Sequence, residues 1–292
     1  MQIDKEILKK VELIRIMTRQ RVTSIFAGEF ESAFKGEGLE FEEVREYQPG
    51  DEIRSIDWNV TARTGYPHIK RYRQERELSI YFLVDVSPSG AFGSRGKSRS
   101  EVAAEIVSVL SFSASQNNDR TGLLLFSDQT ELFIPPSKGM THTMHMVRDL
   151  LSFKPDGKKT SIASALDYLG RVAHRRSIVF LLSDYYDPGF YDQLKVTAQK
   201  HEIVSLYLYD PIEKCLPDGG LMSFSDSETG KTITLDTSDK RVRAAYELRF
   251  KNRLELLRRT FSKYNCDFLE LDIAEEYIKS LSKFFIQREK RR

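Results

Sequence analysis

Cysteine is nearly absent from this chain of 292 residues: Cys215 and Cys266 are the only two, far apart and without metal-type spacing. That argues against a disulfide framework and reads as two ordinary thiols in a reducing compartment. Histidine is sparse as well. His68, His142, His145, His174 and His201 are scattered, and no Ser/His/Asp or Cys/His set emerges for nucleophilic catalysis. His142 and His145, three residues apart, read as one helix face rather than a metal pair. A charge excess is missing too: 45 Lys and Arg stand against 43 Asp and Glu, a net charge of +2. A dedicated nucleic-acid binder usually shows a basic excess. Long apolar runs are lacking. The longest, at Leu123–Phe126 and Ile178–Leu182, fall far short of the ~20 residues needed to span a bilayer. Met1–Lys10 is charged and helical in pattern, unlike a signal peptide. There is no internal repeat and no low-complexity segment. These absences lead us to expect a soluble, cytoplasmic protein with no transmembrane segment and no nucleic acid as partner.

What is present suffices for a substantial core, at 40% hydrophobic and 11% aromatic residues. The length allows one large domain or two small ones. Apolar spacing from Ile3 to Phe26 predicts a helix over 3–26. Residues 36–76 are dense in charge yet hold the only Trp, Trp58. Acidic residues dominate the first part and Lys70, Arg71, Arg73 and Arg76 the end. This block reads as a small β-rich subdomain whose charged halves pair with each other. The other reading is a docking surface for a partner protein.

From Leu78 the pattern becomes α/β. Leu78, Ile80, Tyr81, Phe82, Leu83 and Val84 form a strand-length apolar run, the mark of a strand covered on both faces. Helices are expected at about 99–116 (with Val102, Ile106, Val109 and Leu110 on one face), 140–152, 162–173, 188–200, 239–264 and 274–286. Further strands are expected at 177–182, 202–209 and 267–271. Thr121–Ile134 reads as a hairpin that Pro135-Pro136 ends. A second hairpin is expected as an insertion at about 211–237. Gln287–Arg292 reads as a solvated tail. The alternation predicts a doubly wound, mostly parallel sheet with one antiparallel edge strand. The expected division is 1–76 and 77–292.

The apolar run from Leu78 stops on Asp85-Val86-Ser87-Pro88-Ser89-Gly90, which sets a carboxylate and two hydroxyls at alternate positions. Open α/β sheets hold ligands at the carboxyl ends of their strands. Two further loops belong to the same rim: Thr160-Ser161, ahead of a helix, and Asp184, after the strand ending at Ser183. Two carboxylates and several hydroxyls make an all-oxygen site, suited to Mg²⁺ or Mn²⁺, with Ca²⁺ as a further option. Few carboxylates leave such a site partly open.

Asp85-x-Ser87-x-Ser89, Thr160 and Asp184, in that order, resemble the metal-ion-dependent adhesion site of von Willebrand factor A-type domains. Gly38-x-Glu40-Phe41, Arg45-Glu46-Tyr47, Pro49-Gly50-Asp51, Arg54-x-Ile56-Asp57-Trp58 and Ala62-Arg63 resemble the signature of the bacterial family called domain of unknown function fifty-eight. The resemblance implies a von Willebrand factor A-like, Rossmann-like domain behind a small N-terminal subdomain. It implies that Asp85, Ser87, Ser89, Thr160 and Asp184 hold the ion and that a partner's Asp or Glu completes its shell. It also implies a MoxR-type AAA+ ATPase, or that ATPase's client protein, as partner. Arg45, Tyr47, Asp51, Arg54, Asp57, Trp58 and Arg63 are the candidate docking residues. Lys158-Lys159 stand where the family pattern is Gly-rich, so Thr160 and Ser161 both stay open as the ligand.

Two rival readings stand beside the interaction module. One is a metal-dependent phosphohydrolase, since a nucleophilic Asp ends a strand in haloacid dehalogenase-type phosphatases. Those have a second Asp two residues on, and here that place is Ser87, whose hydroxyl has no pKa suited to general acid–base work. The other is a structural domain with an empty metal site.

Overall fold

The computed structural model describes residues 30, 33, 34, 40–73, 78–94, 96–225 and 230–291. The helix expected over 3–26 lies outside them, as do Gly38 and Arg76. The chain divides into two units, one spanning Phe34–Leu78 and a larger one that carries Ser79 onward. Phe30 and Ala33 belong to the larger unit, whereas the expected division at 76/77 places them with the smaller. The reason is packing. Phe30 stacks on Phe180 and meets Phe285 edge-on at 5.5 Å, and Arg288 Nε donates to the Ala33 carbonyl at 3.1 Å.

In the small unit β1 (Glu40–Glu46) pairs antiparallel with β2 (His68–Arg73). The register sets Glu40 opposite Arg73, Glu43 opposite Arg71 and Glu46 opposite His68. The acidic and basic halves therefore meet as strands. Between them stands α1 (Trp58–Thr64), an element the charge pattern does not announce. Asp57 caps it by accepting from Asn59 N at 2.9 Å and Val60 N at 3.3 Å, and Gly65 closes it at φ 81°.

The larger unit is built on a six-stranded sheet. Its strands are β3 (Ser79–Asp85), β4 (Arg120–Phe126), β5 (Thr130–Ser137), β6 (Ile178–Ser183), β7 (Glu202–Tyr209) and β10 (Asp267–Asp272). They lie in the order β10-β7-β6-β3-β4-β5, and only β5 runs antiparallel. The expected fold class is therefore the observed one. Strands β3 and β6 are apolar throughout their middles because helices cover both faces. Tyr81, Leu83, Val179 and Leu181 pack on one side with residues of α4 (Ile162–Val172), α5 (Tyr191–Lys200) and α7 (Lys240–Lys263). On the other side Phe82 stacks on Phe180 at 5.5 Å, with Phe30 and Phe285 beyond. That side also receives α2 (Arg99–Gln116), α3 (Met140–Ser152) and α8 (Tyr277–Arg291).

Three expectations need correction. Helix α2 is buried nearly all round, not on one face, because α3 and α8 cover what the sheet does not. Its buried Ser108, Ser111 and Ser113 stay satisfied by donating to carbonyls one turn back, at 2.6–2.9 Å. Strand β5 runs through Pro135-Pro136 to Ser137, which an edge strand allows since its outer side pairs with no strand among the described residues. Residues 287–291 continue α8, and Arg288 is only 8% exposed. It is drawn in by Glu202 and Asp267, with which it forms ion pairs. After β7 the short α6 (Pro211–Lys214) leads to the expected hairpin, β8 (Leu221–Ser225) with β9 (Thr232–Asp236).

Candidate metal centre

Strand β3 has β4 on one side and β6 on the other, and the chain winds outward in both directions from it. The crevice above β3 and β6 is thus the topological switch point, where ligands of open α/β sheets bind. Asp85 ends β3 there. Its Oδ1 accepts from Ser87 N at 3.0 Å and its Oδ2 from the Ser183 hydroxyl at 2.7 Å. The Ser87 and Ser89 hydroxyls share a hydrogen bond at 3.0 Å. The loop beyond turns so tightly that a Cβ at Gly93 would lie 2.1 Å from the Lys97 carbonyl oxygen. Ser94 pins it to the end of β7, donating N–H and O–H to Asp210 at 2.6 and 2.5 Å.

Asp184 follows β6 and is 2% exposed. Its Oδ1 accepts from Tyr186 N at 3.2 Å and its Oδ2 from Arg99 Nη1 at 2.7 Å. The next residue, Tyr185, takes a left-handed φ of 53°, uncommon for an aromatic residue. Its hydroxyl is locked in the core, donating to the Leu181 carbonyl at 2.9 Å and accepting from Ser205 at 2.6 Å. Thr160 sits in the loop before α4. That loop is tied down by Ser161 N to the Ser127 carbonyl at 2.8 Å and by Ile162 N to Asp187 Oδ2 at 2.8 Å. The Ser161 hydroxyl serves as N-cap of α4, accepting from Ser164 N at 3.3 Å. Lys158 and Lys159 are exposed.

Asp85, Ser89, Asp184, Ser183, Gly90 and Arg99 help line one cavity of about 10 Å³, room for a single water-sized or ion-sized occupant. Ser87 adjoins it through its bond to Ser89, whereas Thr160 is not part of the lining. Burial, and next the charge of Asp184, push the Asp85 carboxyl up to about 7. Both carboxylates thus face a shared, poorly solvated space. Among the described residues no group of three or more His, Cys, Asp or Glu side chains is arranged to hold a metal. The centre is two carboxylates and hydroxyls.

Three participants are not legible in the spacing of the sequence. Arg99 opens α2 yet reaches across the rim, with Nη1 also donating to the Ser89 carbonyl at 2.8 Å and Nη2 to Glu213 Oε1 at 2.6 Å. Glu213 lies in α6, whose capping box with Asp210 directs it there. Arg253 of α7 donates to the Asp184 carbonyl at 2.6 Å and stacks on the Tyr186 ring at 3.3 Å. One signal for Arg99 existed: a cation in the first turn of a helix opposes the macrodipole and needs another reason to be there.

The docking candidates separate by role. Arg45 and Asp51 form a forked ion pair at 2.8 and 2.7 Å, and Asp57 caps α1. Tyr47 is half-buried. Arg54 and Arg63 are exposed, as is Trp58 at 68%. His142 bonds the Thr121 carbonyl at 2.7 Å, which ties α3 to β4, and both cysteines are free.

A family model described as "Protein of unknown function DUF58" matches residues 43–255. The chain is 30% identical over 230 residues to the uncharacterized protein Rv1480 of Mycobacterium tuberculosis, covering 78% of this chain and 73% of that one. Among solved structures, an aerotolerance-related membrane protein from Bacteroides fragilis aligns with a TM-score of 0.49 at 15% identity, over 74% of this chain and all of that one. The SpRpn10 VWA domain aligns at 0.41 and 11% identity, over 70% and 94%.

Proposed function

This chain belongs to the DUF58 family, and from that premise we propose that its larger unit is a divalent-cation-dependent protein-interaction module that carries out no catalysis of its own. The observation that carries this reading is the pair Asp85 and Asp184 facing one ion-sized cavity at the switch point of the sheet. The donor set is all oxygen, which suits a hard cation. The Asp85 carboxyl, raised by burial and by Asp184, is a group that a cation would return to its ionised form. Asp85, Ser87, Ser89 and Asp184 would hold the ion. Thr160 would join them from its loop, since the Ser161 hydroxyl is committed to capping α4. Mg²⁺ or Mn²⁺, with Ca²⁺ as a further option, supplies when bound an open coordination position that a partner's carboxylate can take.

Each residue has a definite part in this. Ser87 N and the Ser183 hydroxyl orient the Asp85 carboxylate, and Tyr186 N orients that of Asp184. Position 87, where a phosphohydrolase would keep its acid–base carboxylate, is a buried serine bonded to Ser89. We further infer a cytoplasmic adaptor that works with a MoxR-type AAA+ ATPase or its client, a reading supported by the family resemblance. Arg54, Trp58 and Arg63 are its proposed docking contacts on the small unit.

Divalent-ion titration with thermal melting tests the metal reading. A ligand bound only by the folded state stabilises it by about 2.7 kcal/mol at a hundredfold excess over Kd. Mg²⁺ or Mn²⁺ should raise the melting temperature of the parent protein, and Asp85→Ala should abolish the rise. No ion dependence in the parent would sink the reading. Turnover of generic phosphoesters under the same ions, lost in Asp85→Ala, would favour the hydrolase instead.

A further inference from the structure

The least expected group at the centre is Arg99. It is 5% exposed, and it sits in the first turn of α2, where the helix dipole disfavours a cation. Its placement therefore serves neither solvation nor the helix. Three elements converge on it instead: the Ser89 carbonyl from the loop after β3, Asp184 after β6, and Glu213 from α6. Its Nε is buried without a hydrogen-bond partner, and the side chain lines the same cavity as Asp85 and Asp184.

Charge counting shows what this does. Asp85 and Asp184 bring two negative charges to the cavity, Arg99 is the cation in its lining, and Glu213 and Arg253 stand as a further charge of each sign beyond it. Without the Arg99 guanidinium, the two carboxylates would face a divalent cation with no counter-charge in the lining. Unit charges a few ångströms apart interact by several kcal/mol even at an effective dielectric of about 20, so the presence of Arg99 weighs heavily on affinity.

We propose that Arg99 is the resident cation of this centre. It is a positioning residue that occupies Asp184 and holds the divalent-ion affinity of the isolated protein down. Tight retention of the ion then depends on a further carboxylate, which is the chemistry of a partner's Asp or Glu side chain. This inference rests on the metal reading above and adds to it what sets the affinity. A guanidinium fork suits the task better than an ammonium, because it can meet three acceptors in one plane and is always charged. It also separates two roles that the family resemblance leaves joined. Among the described residues no cationic side chain bonds an Asp85 oxygen, whereas Asp184 is held by Arg99.

The test is calorimetric titration of Mg²⁺ and Mn²⁺ into the full chain and into Arg99→Met and Arg99→Lys, with thermal melts in parallel. Arg99→Met should bind at least tenfold more tightly than the parent. Its melting temperature should be lower without divalent ions and recover more on adding Mg²⁺. Arg99→Lys, which keeps the charge but gives up the planar fork, should bind less tightly than Arg99→Met and lose less than tenfold against the parent. If Arg99 merely held the loops together, both variants would bind more weakly, and that result overturns the inference while leaving the metal reading intact. Should Arg99→Met fail to fold even with Mg²⁺ present, Arg99→Lys decides alone: a loss of tenfold or more overturns the proposal. Silence from the parent and both variants overturns the metal reading and this inference together.

Discussion

Asp85 is the residue on which the centre turns, and its environment makes a testable statement about pH. The folded-state carboxyl titrates near 7, well above its ordinary value of 3.8. Between those limits the native state holds a proton that the unfolded chain has released. Stability from this group is therefore present at low pH and is lost as pH rises from about 4 through 7. Asp85→Asn removes the titration while keeping the shape. In the presence of a chelator the variant should be more stable than the parent at pH 8, by on the order of 4 kcal/mol. At pH 4 the two should be nearly equal. Urea unfolding at both pH values measures the gap, and a gap that does not widen with pH would contradict the assignment. The strand-end Asp and its two serines were legible in the sequence because their alternation is local. Arg99 and Glu213 were not, since 114 positions separate them and only the fold brings their side chains to 2.6 Å.

At the level of elements, most helices and strands follow their apolar periodicity, and two of the exceptions arise where polar residues find partners inside the fold. Helix α2 hides three serines on its own carbonyls. Helix α8 continues past 286 because Arg288 finds Glu202 on β7 and Asp267 on β10. A polar tail and a polar helix end look alike in sequence until those partners are known. Arg288→Met should destabilise the protein by about 2–3 kcal/mol, since breaking a buried pair leaves uncompensated charge behind. Substituting the exposed Lys290 should change little. Denaturant midpoints of the two variants make the comparison, and equal midpoints would restore the solvated-tail reading.

For the molecule as a whole, the two units differ in the probes they carry. The sole tryptophan, Trp58, belongs to the Phe34–Leu78 unit and is 68% exposed. Native fluorescence should therefore resemble that of a hydrated indole, yield readily to acrylamide quenching and change little on unfolding. Loss of the six-stranded sheet should instead register in circular dichroism. A blue-shifted, quench-resistant native emission would contradict the exposure of Trp58. If Trp58 docks a partner, adding that partner should produce such a shift.

The sequence by itself determined the class of fold, the strand-end carboxylates and the balance of charge. Each of these is a matter of local pattern or of composition: runs of apolar residues, alternation at one loop, counts of Lys, Arg, Asp and Glu. Tertiary structure decided which charges meet. It set Asp85 beside Asp184 because β3 and β6 are neighbours across the switch point, not in sequence. It left Thr160 off the cavity wall and assigned Ser161 to a helix cap. It also brought a guanidinium into the centre, since a buried carboxylate needs a counter-charge and the fold supplied Arg99 from the helix after the first loop.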